Sequence, residues 1–130
     1  MDKNFNRWNE VKKKTNNSKE IVYFKKQEVW WTRTGLNIGI ESNGKGEEFT
    51  RPVLIIKKHN KYSCLVVFLT TNNKLDRSKT CIDLENYPNT FIKLSQIKTI
   101  DSKRLVKKIF FLNQDNFERI KRSIREFNEL

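Results

Sequence analysis

A chain of 130 residues with 27 Lys and Arg against 15 Asp and Glu carries a formal net charge of +12. One domain's worth of sequence leaves no room for a multi-domain enzyme or a large cofactor fold. Leu, Ile, Val and Phe together make 38 residues, or 29%, above the roughly 20% under which highly charged chains stay disordered. The chain therefore builds a core.

The excess of positive charge points to an anionic partner: nucleic acid, an acidic protein or an anionic membrane. A Lys- and Asn-rich compositional bias is the alternative. Five of the twelve excess charges lie in residues 1–27, so the rest of the chain is basic by itself. The longest apolar runs, 53–56 and 64–69, are too short to span a bilayer. The first ten residues lack the apolar stretch of a secretory signal. The expected setting is the cytoplasm, without membrane contact. Two Cys and one His with no ligand-pair spacing make no zinc site, and neither a metal nor a cofactor is expected.

In residues 4–14, Phe5, Trp8 and Val11 stand three apart, one stripe of a short helix. Asp2 is the expected cap, and Lys12, Lys13 and Lys14 fall near the electronegative C-terminal end. After a polar stop at 15–18 and a short apolar piece at 21–24, the pattern changes to strand at Glu28. EVWWTRT is β-branched and aromatic. All four glycines then fall between Gly35 and Gly46, in a loop where backbone either flexes or approaches a ligand closely. Residues 51–58 and 62–70 read as two central, buried strands joined by a hairpin at His59, Asn60 and Lys61. Pro52 sits at a strand start, where a missing donor is tolerated.

Shorter strands are expected at 80–84 and 90–94, around a turn at 86–89. Residues 95–105 read as a tight turn or short helix, and 106–112 as the last strand. Cys64 and Cys81 sit in apolar, strand-like runs and are expected as buried thiols, a disulfide being the alternative. Phe117, Ile120, Ile124 and Phe127 then trace one apolar helix face, with Asn113 as cap. Closely connected strands closed by a helix predict a mainly β, α+β domain: a small barrel or rolled sheet with an added N-terminal helix.

No phosphate-binding loop, dinucleotide fingerprint or metalloprotease motif is present. His59, the only histidine, is expected in a solvated turn, which removes a two-histidine ribonuclease mechanism. The glycine-rich loop carries Glu41, Lys45, Glu47 and Glu48 and ends at Arg51. A carboxylate and an arginine at a loop–strand junction can bind phosphate and move protons. The alternative is a solvated charged loop.

Four blocks in order carry a resemblance. They are Glu28-Val29-Trp30-Trp31; Gly35 to Gly39 to Glu41, followed by Arg51-Pro52-Val53-Leu54-Ile55-Ile56; Val66-Val67-Phe68-Leu69-Thr70-Thr71; and residues 94–105, LSQIKTIDSKRL. Together they resemble the PemK/MazF family of toxin endoribonucleases. The resemblance implies an SH3-like barrel of the CcdB/MazF/PemK type over 27–130, with a C-terminal helix, usually a homodimer. Residues 1–26 are then a basic N-terminal extension.

It further implies the toxin of a type II toxin-antitoxin system, a growth inhibitor restrained by a cognate antitoxin. The implied activity is metal-independent cleavage of single-stranded RNA, messenger RNA included. In it the ribose 2′-hydroxyl attacks its own phosphate. Arg51, Thr70 and Glu41 match catalytic positions, and Gln96 lies near the family's RNA channel. Lys45 and Trp31 are further candidates for RNA contact. The loop between Glu41 and Arg51 is longer than the family pattern. A barrel that binds RNA passively, or a protein target as CcdB-type toxins do, is the alternative from another class.

Overall fold

The computed structural model describes residues 4–17, 21–34, 50–71, 79–82 and 89–130, without the side chains of Cys81 and Ile82. Helix α1 (Phe5–Asn16) is followed by strands β1 (Glu28–Arg33), β2 (Thr50–Asn60), β3 (Ser63–Thr70), β4 (Lys79–Ile82) and β5 (Thr90–Asp101). A 3-10 helix (Ser102–Arg104), β6 (Leu105–Phe111) and helix α2 (Gln114–Asn128) complete the chain. The six strands form one antiparallel sheet in the order β4-β5-β3-β2-β1-β6. The two most apolar strands, β2 and β3, are its centre, as their unbroken apolar runs require.

The chain connections show that the sheet curls. Strands β5 and β6 stand four places apart, which would be about 19 Å in a flat sheet at roughly 4.8 Å per strand. Yet only Ser102, Lys103 and Arg104 join them, a link that reaches at most about 14 Å. The sheet must therefore coil until its sixth strand returns to the end of its second. Register shifts in the β1–β6, β2–β3 and β3–β5 pairings supply bends of this kind.

Coiling gives the sheet two apolar faces. On one, Val29, Leu54, Val67, Leu69, Ile92 and Leu94 pack against Leu112 and against Phe117, Ile120 and Ile124 of α2. On the other, Trp30, Val53, Ile55, Cys64, Val66, Phe68, Ile100 and Leu105 pack together, with Phe24 from the segment entering β1. Strict alternation along β2 and β3 assigns neighbours to opposite faces. This is the coiled antiparallel barrel of the expected α+β class.

Local chemistry fixes the ends. Asn113 caps α2 by accepting from the Asn116 amide at 2.9 Å, as expected, and Asn4 caps α1 by accepting from the Arg7 amide at 3.0 Å. The expected cap, Asp2, lies outside the described residues. Gln27, at φ 75°, makes the sharp entry into β1. Its amide donates to Ile55 O (3.0 Å), its carbonyl accepts from the Leu112 amide (2.8 Å), and its side chain donates to Leu112 O (3.1 Å).

Three expectations shift. Residues 95–101 continue β5 rather than turning, because they pair with β3 along 97–101 while β4 covers only 90–93. A polar sequence suits a strand with one neighbour. The β2–β3 turn falls at Lys61 and Tyr62, so that His59 and Asn60 of the expected turn extend β2 instead, with Asn60 Oδ1 accepting from the Tyr62 amide at 2.8 Å. Phe127 stays 38% exposed, beyond the reach of the sheet under α2. Cys64 is buried with a free thiol. No helix among the described residues is long and apolar enough to cross a membrane.

Candidate active site

Adjacent ends of β1, β2 and β3 meet at one cleft of about 320 Å³, lined by Trp31, Thr50, Arg51, Pro52, Leu69, Thr70 and Thr71. Trp31 pairs with Pro52 and Thr32 with Arg51 across β1–β2. The β2–β3 register runs as far as Val53 opposite Phe68, and beyond that pair Arg51 and Thr70 both line the cleft. Thr70 in turn pairs with Phe91 of β5. Two of the three expected catalytic residues thus converge. Antiparallel pairing brings them together from the start of one strand and the end of the next.

Trp30 and Trp31 divide as alternation demands. Trp30 is core, its indole N–H donating to Glu28 Oε1 at 3.1 Å. Trp31 is half-buried on the cleft. Glu28, 3% exposed, also accepts from the Lys25 amide at 2.8 Å and pairs with Lys108 at 3.5 Å. Its place in the first block is therefore structural.

Burial lowers the Arg51 guanidinium from its ordinary pKa. Arginine remains the cation when desolvated, since its starting value is so high. A second cation feels it: Lys93 of β5 is lowered by burial first, then by the charges of Arg51 and of Lys79. Lys79 and Lys93 face each other across β4–β5. Sequence reasoning missed this pair, because single lysines carry no signal in a chain with 27 basic residues. The available hint was a lysine set between Ile92 and Leu94 of an apolar strand.

Gln96 lies half-buried on β5, outside the described lining of the cleft. Glu41 and Lys45 lie outside the described residues. His59, expected in a turn, is instead the penultimate residue of β2, exposed and eight residues along the strand from Arg51. It takes no part in the cleft.

A coiled antiparallel barrel backed by one helix, with an arginine and a threonine meeting at its strand ends, defines a small domain with a cationic cleft. Residues 25–128 match the family model described as PemK-like, MazF-like toxin of type II toxin-antitoxin system, and the chain belongs to that family. Among solved structures it is similar to MazF from Deinococcus radiodurans, with 12% identity and a TM-score of 0.68, covering 85% of this chain and 99% of that one. It is similar also to an endoribonuclease from a mycobacterial species in complex with its cognate antitoxin (14% identity, TM-score 0.62, 83% and 97% covered). A third is the Mycobacterium tuberculosis toxin MazF-mt6 (17% identity, TM-score 0.59, 79% and 97% covered). At these identities the likeness is one of fold.

Proposed function

We propose that this toxin is an endoribonuclease that cleaves single-stranded RNA at the Arg51 cleft, without a metal ion, by attack of a ribose 2′-hydroxyl on the adjacent phosphorus. The new P–O2′ bond forms as the P–O5′ bond breaks, a base takes the proton of the 2′-hydroxyl, and the leaving O5′ takes up a proton. The products are a 2′,3′-cyclic phosphate and a 5′-hydroxyl.

Such a displacement needs extra negative charge on the phosphorane stabilised and the reacting groups held in line. Arg51 supplies a fork of N–H donors and a fixed positive charge, which suits a phosphate better than a lysine would. Its pKa, above about 12 in water, makes it a poor base. Thr70 donates its hydroxyl hydrogen to a non-bridging phosphate oxygen. Glu41 is assigned to proton removal or RNA positioning, Trp31 to stacking on a base, and Lys45 and Gln96 to the RNA path. Lys93 and Lys79 add to the positive field that gathers phosphate.

Residues 1–26 form the basic extension and 27–130 the catalytic domain, which acts as a homodimer. A cognate antitoxin inhibits by covering the same cationic surface. The observation that carries the reading is the convergence of Arg51, Thr70 and Trp31 on one cleft.

Purified protein, single-stranded RNA and excess chelator test it. The expected products carry 2′,3′-cyclic phosphate and 5′-hydroxyl ends, and Arg51→Ala abolishes them. Intact RNA with the wild-type protein, or a cleavage rate unaltered in Arg51→Ala, overturns the reading.

A further inference from the structure

Helix α1 precedes the family-matched residues, and its apolar attachment is thin. Trp8 and Val11 form a small cluster of their own, apart from both faces of the sheet, while Phe5 is 50% exposed. Polar contacts with the 3-10 turn hold the helix instead. The Arg104 guanidinium lies 5.8 Å from the centre of the Trp8 ring. Lys103 Nζ donates to Asn16 O at the helix end, at 3.1 Å, where a cation suits the helix dipole.

Between helix and turn lies a cleft of about 360 Å³, lined chiefly by Trp8, Lys12, Lys13, Asp101, Lys103 and Arg104. Among the described residues four cations face it against one carboxylate. Part of that carboxylate's capacity is already used, since Asp101 Oδ1 accepts from the Lys103 amide at 2.8 Å. Lys12 and Lys13 are exposed, and among the described residues the Lys103 ammonium spends one of its three donors, on Asn16 O. Folding gains little from gathering like charges around an open cleft.

The cleft adjoins the Arg51 site through the sheet. Thr32 pairs with Arg51 on one side and with Leu105 on the other. Arg51 and the end of the 3-10 turn therefore stand two strands apart, about 10 Å. Thr32 Oγ1 donates to Arg104 O at 3.0 Å, and Arg104 Nη1 donates to Arg33 O at 3.0 Å. Arg33 is paired with Thr50 on the rim of the first cleft.

We propose that the cleft between α1 and the 3-10 turn is a second subsite for the RNA strand, binding its phosphates through Lys12, Lys13 and Lys103. This rests on the reading of the Arg51 cleft as the RNA-cleaving site. Trp8 is 6% exposed, with the Arg104 guanidinium over its ring, so the subsite takes phosphate rather than a base. Lysines are point charges on flexible stems. Their contribution is sequence-blind, salt-sensitive and dependent on RNA length. The extension thus lengthens the grip of the domain without setting its cleavage sequence.

The test uses the full chain and 2′-O-methyl RNA of roughly 15 nucleotides, within the span of single-strand sites. This RNA lacks the attacking hydroxyl, so binding is read whether or not the protein cuts. Dissociation constants are measured across salt concentrations. The double variant Lys12→Gln/Lys13→Gln is expected to bind more weakly, its log–log salt slope shallower by about 1.4, at roughly 0.7 per phosphate contact on a single strand. Lys103→Gln, on the opposite wall, is expected to lose about 0.7. RNA of about four nucleotides, a short single-strand site, is expected to bind these variants and the wild type alike. Lys61→Gln, exposed on the hairpin, is the control for net charge alone.

An unchanged slope in both variants, or an equal loss with Lys61→Gln, overturns the subsite. So does weakened binding of an acidic peptide with RNA binding intact, which would assign the cleft to a protein partner. Wild-type protein that binds the RNA with these losses but cleaves no unmodified RNA would overturn the functional reading and leave the subsite standing.

Discussion

Arg51→Ala separates a catalytic arginine from one that merely ties down a strand end. A unit charge about 4 Å from a phosphorane oxygen is worth roughly 4 kcal/mol at the effective dielectric of a partly buried site, against about 1 kcal/mol in bulk water. Arg51 is half-buried, so most of the larger figure is available in the transition state. Loss of one preorganised donor to an oxyanion costs about 10²- to 10³-fold in kcat, and that is the expected fall. KM should change much less, because other cations still hold the RNA.

Stability should respond little. Burial lowers the guanidinium pKa, so its charge is held there at a cost, and its removal should leave the melting temperature nearly unchanged. Arg51→Lys retains a charge and loses the planar fork, and should fall between wild type and alanine. Single-turnover cleavage and thermal melting of the same preparations measure both quantities. A kcat within about threefold of wild type, or a lost activity that simply follows unfolding, would refute the assignment.

Three other outcomes follow from the fold and its charges. Glu28→Ala strands the Lys25 amide and the Trp30 indole N–H and should cost about 2–4 kcal/mol in urea unfolding. Glu28→Gln keeps an acceptor and should cost less, so equal losses would contradict the role. The Cys64 thiol is pushed up from 9.0 to about 11 by burial, with help from the negative charge of Asp101. Its folded value exceeds its unfolded one, so this contribution to stability is complete below pH 9 and is lost as pH rises towards 11. Cys64→Ala should flatten that decline, and the native thiol should resist alkylation at pH 8. Lys93 shows the opposite sign: its folded pKa is lowered, so the unfolded chain binds more protons between that value and 10.5, and stability rises with pH across the window. Lys93→Met should raise the melting temperature at pH 7, remove that rise and weaken RNA binding. A lower melting temperature would contradict the repulsion from Arg51 and Lys79.

The central strands and α2 were legible because their side chains are buried in unbroken runs or at helical spacing, and burial leaves a simple record in sequence. The second half of β5 was not. Lys98 and Thr99 pair with β3 alone, Ser95 and Gln96 fall at the register shift before them, and nothing local distinguishes such an edge from a turn. At the site, motif order pointed to Arg51, Thr70 and Trp31, yet their meeting depends on the β2–β3 register, a long-range property. Lys93 and Lys79 emerged only when β4 was laid beside β5. Arg104 was hidden in the same way: its contacts reach back to Trp8 and Arg33, some 70 to 100 residues earlier in the chain.

The central claim is that the ribose 2′-hydroxyl is the nucleophile and the Arg51 cleft the place where it attacks. The most direct measurement compares two otherwise identical RNA strands under single-turnover conditions. One carries a single 2′-deoxynucleotide on the 5′ side of the cleaved bond. Equal binding of both strands, with cleavage only of the all-ribose strand, is the predicted result. Cleavage of the deoxy-substituted strand at the same bond and rate would contradict it.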